Sequence, residues 1–444
     1  MSSILQPASD VGINPPIDGN RYTPRFQFPQ HPIAGSVDDF LSGPCESASF
    51  FRRSALAWYD GRLDVGLRYA AAAVDARCDE DHEPCQLAPF WHVALLTKAR
   101  ELEAGWRALN AIEMQRGAPD SARMTATSHV IRGELLFVMG RVGDGLSEVN
   151  TGLRLAESCG ARSLLPIGYV VMALGALRRA DMRTCQHYVD KLTGEALLGY
   201  LGQAAGALVA AQSAEARGRT ESAATLIDGI VTNPLVLRQL LVSEPSAASW
   251  LVRASTKMGA QGVATAAVDA AWATAAKHPR FAVIQAAALH ASGLLEGDCD
   301  KLLEAANLYP DRWCVASARE DMANLLAQRG SDRGSTVRIL ESVLGSYTAI
   351  VATRDASRVV NKLRDFGVRR GATRNVDHGG DLPHGLTNTE YAVAELVSQG
   401  HTNNEVGRQL FISRHTVAFH LKKVYQKMSV TSRVELAAIW KAMQ

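Results

Sequence analysis

Between Arg414 and Lys427 the chain sets Arg414, His415, Thr416, Lys422, Lys423, Gln426 and Lys427 among apolar residues that recur as Val417, Leu421, Val424 and Met428. Intervals of 4, 3 and 4 between those apolar residues put them on one helix face, turned toward a core. The other face carries His415, Ala418, Phe419, Lys422 and Gln426, and its chemistry suits an anionic duplex. A lysine donates to guanine O6 or N7, while alanine and phenylalanine offer apolar contact to a thymine methyl. Arg414, Thr416, Lys423 and Lys427 flank that face and suit phosphates.

Other reactive groups point to less. Cys78, His82 and Cys85 lie close together, yet their spacing matches none of the usual zinc patterns and no second pair stands at a suitable distance, so no metal is expected. The seven cysteines, 45, 78, 85, 159, 185, 299 and 314, are odd in number and scattered through a chain too large to depend on a disulfide framework. They read as reduced and mostly packed. Glu80, Asp81 and Glu83 read as a solvated inter-helix loop. The chain contains no Gly-x-Ser-x-Gly elbow and no His-Glu-x-x-His, and its nearest approach to a phosphate-cradling loop, Gly330 to Thr336, lacks the lysine. Neither catalytic residues nor a cofactor are expected, and the chain does not read as an enzyme.

The elements that must position the basic helix are marked by their caps. Thr387 with Glu390, Thr402 with Glu405 and Ser432 with Glu435 are capping boxes, in which the hydroxyl accepts a backbone N–H and the carboxylate reaches back. Ser413 is an N-cap for a helix from Arg414 to Met428. Only Leu410 to Ser413 separates it from the helix before. A short helix, a tight turn and a longer basic helix make a helix-turn-helix.

From residue 45 to 367 the chain is rich in Ala and Leu, with helical spacing as in Leu146, Val149, Leu153 and Ala156. Turn-forming corners recur at Gly61, Gly140, Ala180, Gly218, Gly259, Gly297 and Gly330, separated by 79, 40, 38, 41, 38 and 33 residues. The doubled first gap predicts a further corner near residue 101. A spacing close to forty marks paired antiparallel helices stacked side by side. Small residues after the corners, Ala70, Ala71, Ala223, Ala224, Ala266 and Ala267, let neighbouring helices approach closely. The array reads either as a concave surface for a protein partner or small-molecule ligand or as a plain helical spacer, the first favoured by the geometry of stacked repeats.

The terminal segment resembles the LuxR-type, or NarL-type, helix-turn-helix domain, a four-helix unit. The match rests on Leu386, Thr387, Glu390, Gly400, Asn403, Glu405, Val406, Leu410, Ile412, Ser413, Thr416, Val417, His420, Lys427, Arg433, Glu435 and Leu436. Ala418 and Asn404 depart from it, each trimming positive charge. The resemblance places Ala418, Phe419 and Lys422 at positions that reach base edges, makes His420 a partly buried brace, and assigns the last helix to dimer contact. Leu436, Ile439, Trp440 and Met443 form the apolar stripe for that contact, the alternative being that the stripe packs inside its own domain. The array resembles tetratricopeptide-type repeats, with a longer period. Together the two parts resemble the C-terminal half of the large ATP-binding LuxR-type regulators, without the motor. Residues 354–370 resemble the junction that precedes such domains in actinobacterial regulators.

The expected organisation of the 444 residues is therefore all-α: an irregular tail at 1–44, a repeat array at 45–367, a linker at 368–384 and the helix-turn-helix domain at 385–444. The tail holds seven of the sixteen prolines and reads equally as a disordered leader or as an arm anchored by Tyr22, Phe26 and Phe28. Residues 354–444 carry 14 Lys and Arg against 8 Asp and Glu, net +6, leaving 33 against 37 before them, net −4. A basic terminal segment on a faintly acidic chain points to nucleic acid. No stretch approaches the roughly 18 apolar residues of a membrane span, and no signal core opens the chain, so a cytoplasmic protein with no membrane partner is expected. The favoured function is a homodimeric transcription regulator that binds double-stranded DNA. The alternative is an adaptor or RNA-polymerase-binding protein with weakened DNA recognition.

Overall fold

The computed structural model describes residues 44–76, 78, 82–115, 121–194, 200–368, 386–410 and 414–442, and every regular element among them is helical. The proline-rich tail, the linker after residue 368 and the turn at 411–413 lie outside the described residues.

Helices α1 (Glu46–Tyr59) and α2 (Leu63–Asp75) form the first hairpin. It is followed by α3 (Glu83–Lys98) with α4 (Leu102–Gln115), α5 (Ala122–Val138) with α6 (Val142–Cys159), α7 (Leu165–Arg178) with α8 (Met182–Gly194), and α9 (Tyr200–Ala216) with α10 (Thr220–Val231). An unpaired α11 (Pro234–Ser243) interrupts the alternation, after which come α12 (Ser246–Lys257) with α13 (Gln261–Lys277), α14 (Ala282–Glu296) with α15 (Cys299–Leu308), and α16 (Arg312–Gln328). These sixteen helices form one compact unit. The next two, α17 (Arg333–Ala349) and α18 (Thr353–Asp365), are grouped with the repeats by their sequence spacing, but all except residues 349–351 fall in a second compact unit with the terminal domain.

All seven corners read from the sequence adopt positive φ, and so does Arg100, at +61°, which is the corner missing from the doubled gap. Arg100 is not a glycine, so the corner spacing alone marks it. Holding an L-residue there costs about 1–2 kcal/mol, so its surroundings must enforce the conformation. Its buried guanidinium lies 3.5 Å from Glu244 and 3.7 Å from Asp311, and donates to the Thr97 carbonyl at 3.1 Å. Lys98, two residues earlier, meets Glu134 at 2.5 Å and Glu244 at 3.7 Å. Burial alone would lower both cations' pKa values, but Glu134, Glu244 and Asp311 more than offset it and hold them raised.

This cluster joins corners early in the array to helices much later in it. The same is true of His278, whose Nε2 lies 2.8 Å from the Gly61 carbonyl, and of Arg178, whose guanidinium is 4.6 Å from the ring centroids of both Phe137 and Trp313. Arg253 pairs with Asp321, which also receives His290 Nε2 at 2.8 Å.

Packing between helices is tightest in the α5–α6 hairpin. A Cβ at Gly133 would lie 2.5 Å from Val149 Cγ2 and 2.7 Å from the Gly145 carbonyl oxygen, so the two backbones meet where only glycine fits. Of the alanines after the corners, Ala70, Ala223 and Ala267 are buried while Ala224 and Ala266 are exposed. A corner thus delivers one small residue per turn to the interface.

Candidate DNA-binding surface

The terminal domain consists of α19 (Asn388–Ser398), α20 (Asn403–Leu410), α21 (Arg414–Met428) and α22 (Arg433–Ala442). Its core gathers Leu386 just ahead of α19, Val393, Ala394 and Val397 from α19, Val406 from α20, Val417, Leu421, Val424 and Met428 from α21, and Leu436 and Trp440 from α22. All four predicted core residues of α21 are therefore inside.

The caps orient these helices. At α19 the Glu390 N–H reaches Thr387 Oγ1 at 3.3 Å and the Glu390 carboxylate accepts the Thr387 N–H at 2.8 Å, a complete box. Thr402 and Glu405 repeat it at 2.7 and 3.3 Å. At α22 only half of the expected box forms: Glu435 N–H reaches Ser432 Oγ at 3.2 Å, but its carboxylate accepts the N–H of Thr431, at 2.7 Å, rather than that of Ser432. Arg433 clamps α22 to the preceding corner, donating to the His401 carbonyl and reaching Asn403 Oδ1 at 3.4 Å. Gly400, at φ +95°, makes that corner.

With Val417, Leu421, Val424 and Met428 turned inward, α21 exposes Arg414, Ala418, Phe419, Lys422, Lys423, Gln426 and Lys427. Thr416 is half-buried, and the side chain of His415 lies outside the described residues. Phe419 is 57% exposed, uncommon for an aromatic side chain on a small domain, and the Lys423 ammonium sits 4.6 Å from its ring centroid. Lys422 and Gln426 stand one helical turn apart on the same face. His420 is half-buried with Nδ1 unpartnered among the described residues; burial lowers its pKa, Glu390 partly opposes that, and Lys423 lowers it further.

Residues 384–440 match the family of bacterial regulatory proteins of the luxR type. This segment is a LuxR-family helix-turn-helix domain. It is 47% identical over 51 residues to an HTH-type transcriptional regulator of Mycobacterium tuberculosis, covering 12% of this chain and 6% of that one. The chain is also 35% identical over 89 residues to the transcriptional regulatory protein LiaR of Bacillus subtilis, covering 19% of this chain and 42% of that one. The chain thus spans less than half the length of either relative. Among solved structures, a Rap protein complexed with competence and sporulation factor aligns with 72% of this chain and 97% of its own at 13% identity and a TM-score of 0.40.

Two of the expected contact groups have partners within the LuxR-family domain. Lys427, expected to face phosphate, is exposed and pairs with Glu390 at 2.7 Å, which ties α21 to the cap of α19. Burial would raise the Glu390 pKa, but the Lys427 ammonium and the Thr387 N–H and hydroxyl outweigh it and hold the carboxyl below its ordinary range. The expected dimer stripe also divides. Leu436 and Trp440, four residues apart, are 0% and 3% exposed, and the Trp440 ring lies 4.9 Å from that of Tyr391, so both belong to the domain's own core. Ile439 remains at the surface with Val434, while Met443 lies outside the described residues. Val434, 78% exposed, lies outside the periodicity of that stripe, so the spacing carries no signal for it.

Proposed function

We propose that the protein is a cytoplasmic DNA-binding transcription regulator whose α21 enters the major groove, with the helical array sensing a protein partner or ligand. One observation carries the reading: α21 buries its entire apolar stripe and leaves Ala418, Phe419, Lys422 and Gln426 aligned on the outer face, while Arg414 and Lys423 are exposed beside them, where phosphates would lie. A helix so divided is suited to a groove, and its cations suit phosphates.

We assign dimer contact to the exposed side of α22, bounded by Val434 and Ile439, rather than to the buried tryptophan. Two copies would read half-sites about one helical turn apart. DNA recovered with the protein from cells identifies the promoters, and binding to those fragments is then measured against random DNA over a salt series. Preferential binding with a steep loss of affinity in salt is expected. Equal affinity for recovered and random fragments would sink the regulator reading and favour the adaptor.

A further inference from the structure

Cys45, Cys78, His82 and Cys85 come together where α1 begins, α2 ends and α3 begins, and their four ligand atoms all lie within 4.8 Å of one another. Cys45 Sγ is 3.1 Å from Cys85 Sγ, and Cys78 Sγ is 3.4 Å from His82 Nδ1. Four tetrahedral ligands at Zn–S distances of about 2.3 Å would be spaced roughly 3.8 Å apart, inside the range these atoms already span. We propose that these residues form a structural zinc site.

Sequence spacing argued against a metal because Cys78, His82 and Cys85 lack a nearby second pair. The fold supplies the fourth ligand from forty residues before Cys85. A disulfide between Cys45 and Cys85 would use only two of the four groups, whereas a metal would use all four. Nor does simple packing of thiols explain an imidazole in the same cluster with its nitrogen directed at sulfur.

The surroundings suit a bound cation with three thiolates. Cys45 is the N-cap of α1 and its sulfur accepts the Ala48 N–H at 3.4 Å; His82 is the N-cap of α3, and Cys85 lies in that helix's first turn, its N–H bonded to the His82 carbonyl at 2.9 Å. Zn²⁺ with three thiolates and a neutral imidazole carries a net charge of −1, and helix N-termini favour negative charge. On binding, three thiol protons pass to solvent, and His82 coordinates through Nδ1. Four protein ligands close the coordination sphere, which makes the site structural rather than catalytic. Ser47 Oγ donates to the Ala73 carbonyl at 2.6 Å and already holds the start of α1 against the end of α2. The metal would fasten α3 to the same point.

The test uses the full chain, produced with zinc in the medium and purified under reducing conditions. Elemental analysis should find about one zinc per chain, and exchange for Co²⁺ should give the intense visible bands and thiolate charge-transfer absorption of a tetrahedral sulfur-rich site. Cys45→Ser and Cys85→Ser should each cut zinc content roughly tenfold or more, while Cys159→Ser and Cys299→Ser leave it unchanged. Alkylation of the wild-type protein before and after chelation guards against misfolded variants: Cys45, Cys78 and Cys85 should become reactive only after chelation. Failure of the reduced wild-type chain to retain zinc or cobalt, retention that survives loss of Cys45 and Cys85, or a Cys45–Cys85 disulfide in freshly purified, metal-free protein would each overturn the assignment.

Discussion

The helical array and the terminal domain both hold arginine and lysine, but they place them oppositely. In the array, Arg100 is buried and Lys98 half-buried, both among Glu134, Glu244 and Asp311, and they join parts of the chain up to 211 residues apart. In the terminal domain, Arg414, Lys422 and Lys423 stand in solvent on one helix, with Lys427 as the exception drawn back to Glu390. Buried cations have already exchanged their hydration for carboxylates and serve the fold. Exposed cations on a rigid helix keep their charge available to a partner. Position relative to the core, rather than residue type, therefore separates structural from functional charge here.

The largest expected effect comes from breaking the buried set. Arg100→Leu leaves Glu244 and Asp311 short of their counter-charge and should cost about 3–5 kcal/mol, because removing one partner strands the other charges in a low dielectric. Denaturant unfolding of the full chain, followed by circular dichroism, should show the array's transition at lower denaturant while DNA affinity at low denaturant is unchanged. An unaltered midpoint would show that the charges are solvated and that the contrast with the terminal domain is false. Trp440→Ala should be of similar size, about 3–5 kcal/mol, but confined to the terminal domain, since it empties a core position. Val434→Glu, on the exposed side of the same helix, should leave stability within about 0.5 kcal/mol and weaken self-association, read by analytical ultracentrifugation. A stable domain with Trp440→Ala would return the tryptophan to the dimer surface.

Exposed charge should give smaller and more selective losses. Lys422→Ala is expected to relax discrimination at one base pair by about 1–3 kcal/mol, and Lys423→Ala to weaken all sequences alike and reduce the salt slope by about one. Matching losses on specific and random DNA from both variants would erase the division between base reader and phosphate contact.

Much of the terminal domain was legible because its signals are local. A capping box needs three residues' separation, and the α21 stripe repeats within one helix, so Thr387, Thr402, Val417 and Val424 declare themselves. The corner spacing even located Arg100 without its glycine. What periodicity does not contain is the partner of a face. Leu436 and Trp440 read as an apolar stripe, but whether it meets α19 or another molecule depends on a tertiary contact with Tyr391, 49 residues away. Lys427 and Glu390, Arg100 and Glu244, and Cys45 with Cys85 were hidden for the same reason: the chain brings them together only after its helices pack.

The smallest effect tests the one terminal-domain cation that behaves like those of the array. Glu390 caps α19 and holds Lys427, and its folded pKa is depressed relative to the ordinary glutamate value of 4.5. A depressed carboxyl contributes stability that is complete above its unfolded value and is lost as pH falls through the folded one. The terminal domain should therefore lose stability on acidification below about pH 4.5, and Glu390→Gln, which keeps the shape but not the charge, should remove part of that dependence at a cost of about 0.5–2 kcal/mol near neutrality. Lys427→Met should flatten the same acid limb while leaving the salt dependence of DNA binding as it was, since this lysine already has its counter-charge within the domain. If Lys427→Met instead lowers the salt slope as Lys423→Ala does, then Lys427 exchanges Glu390 for a phosphate on binding, and the line between structural and functional charge runs through this residue rather than beside it.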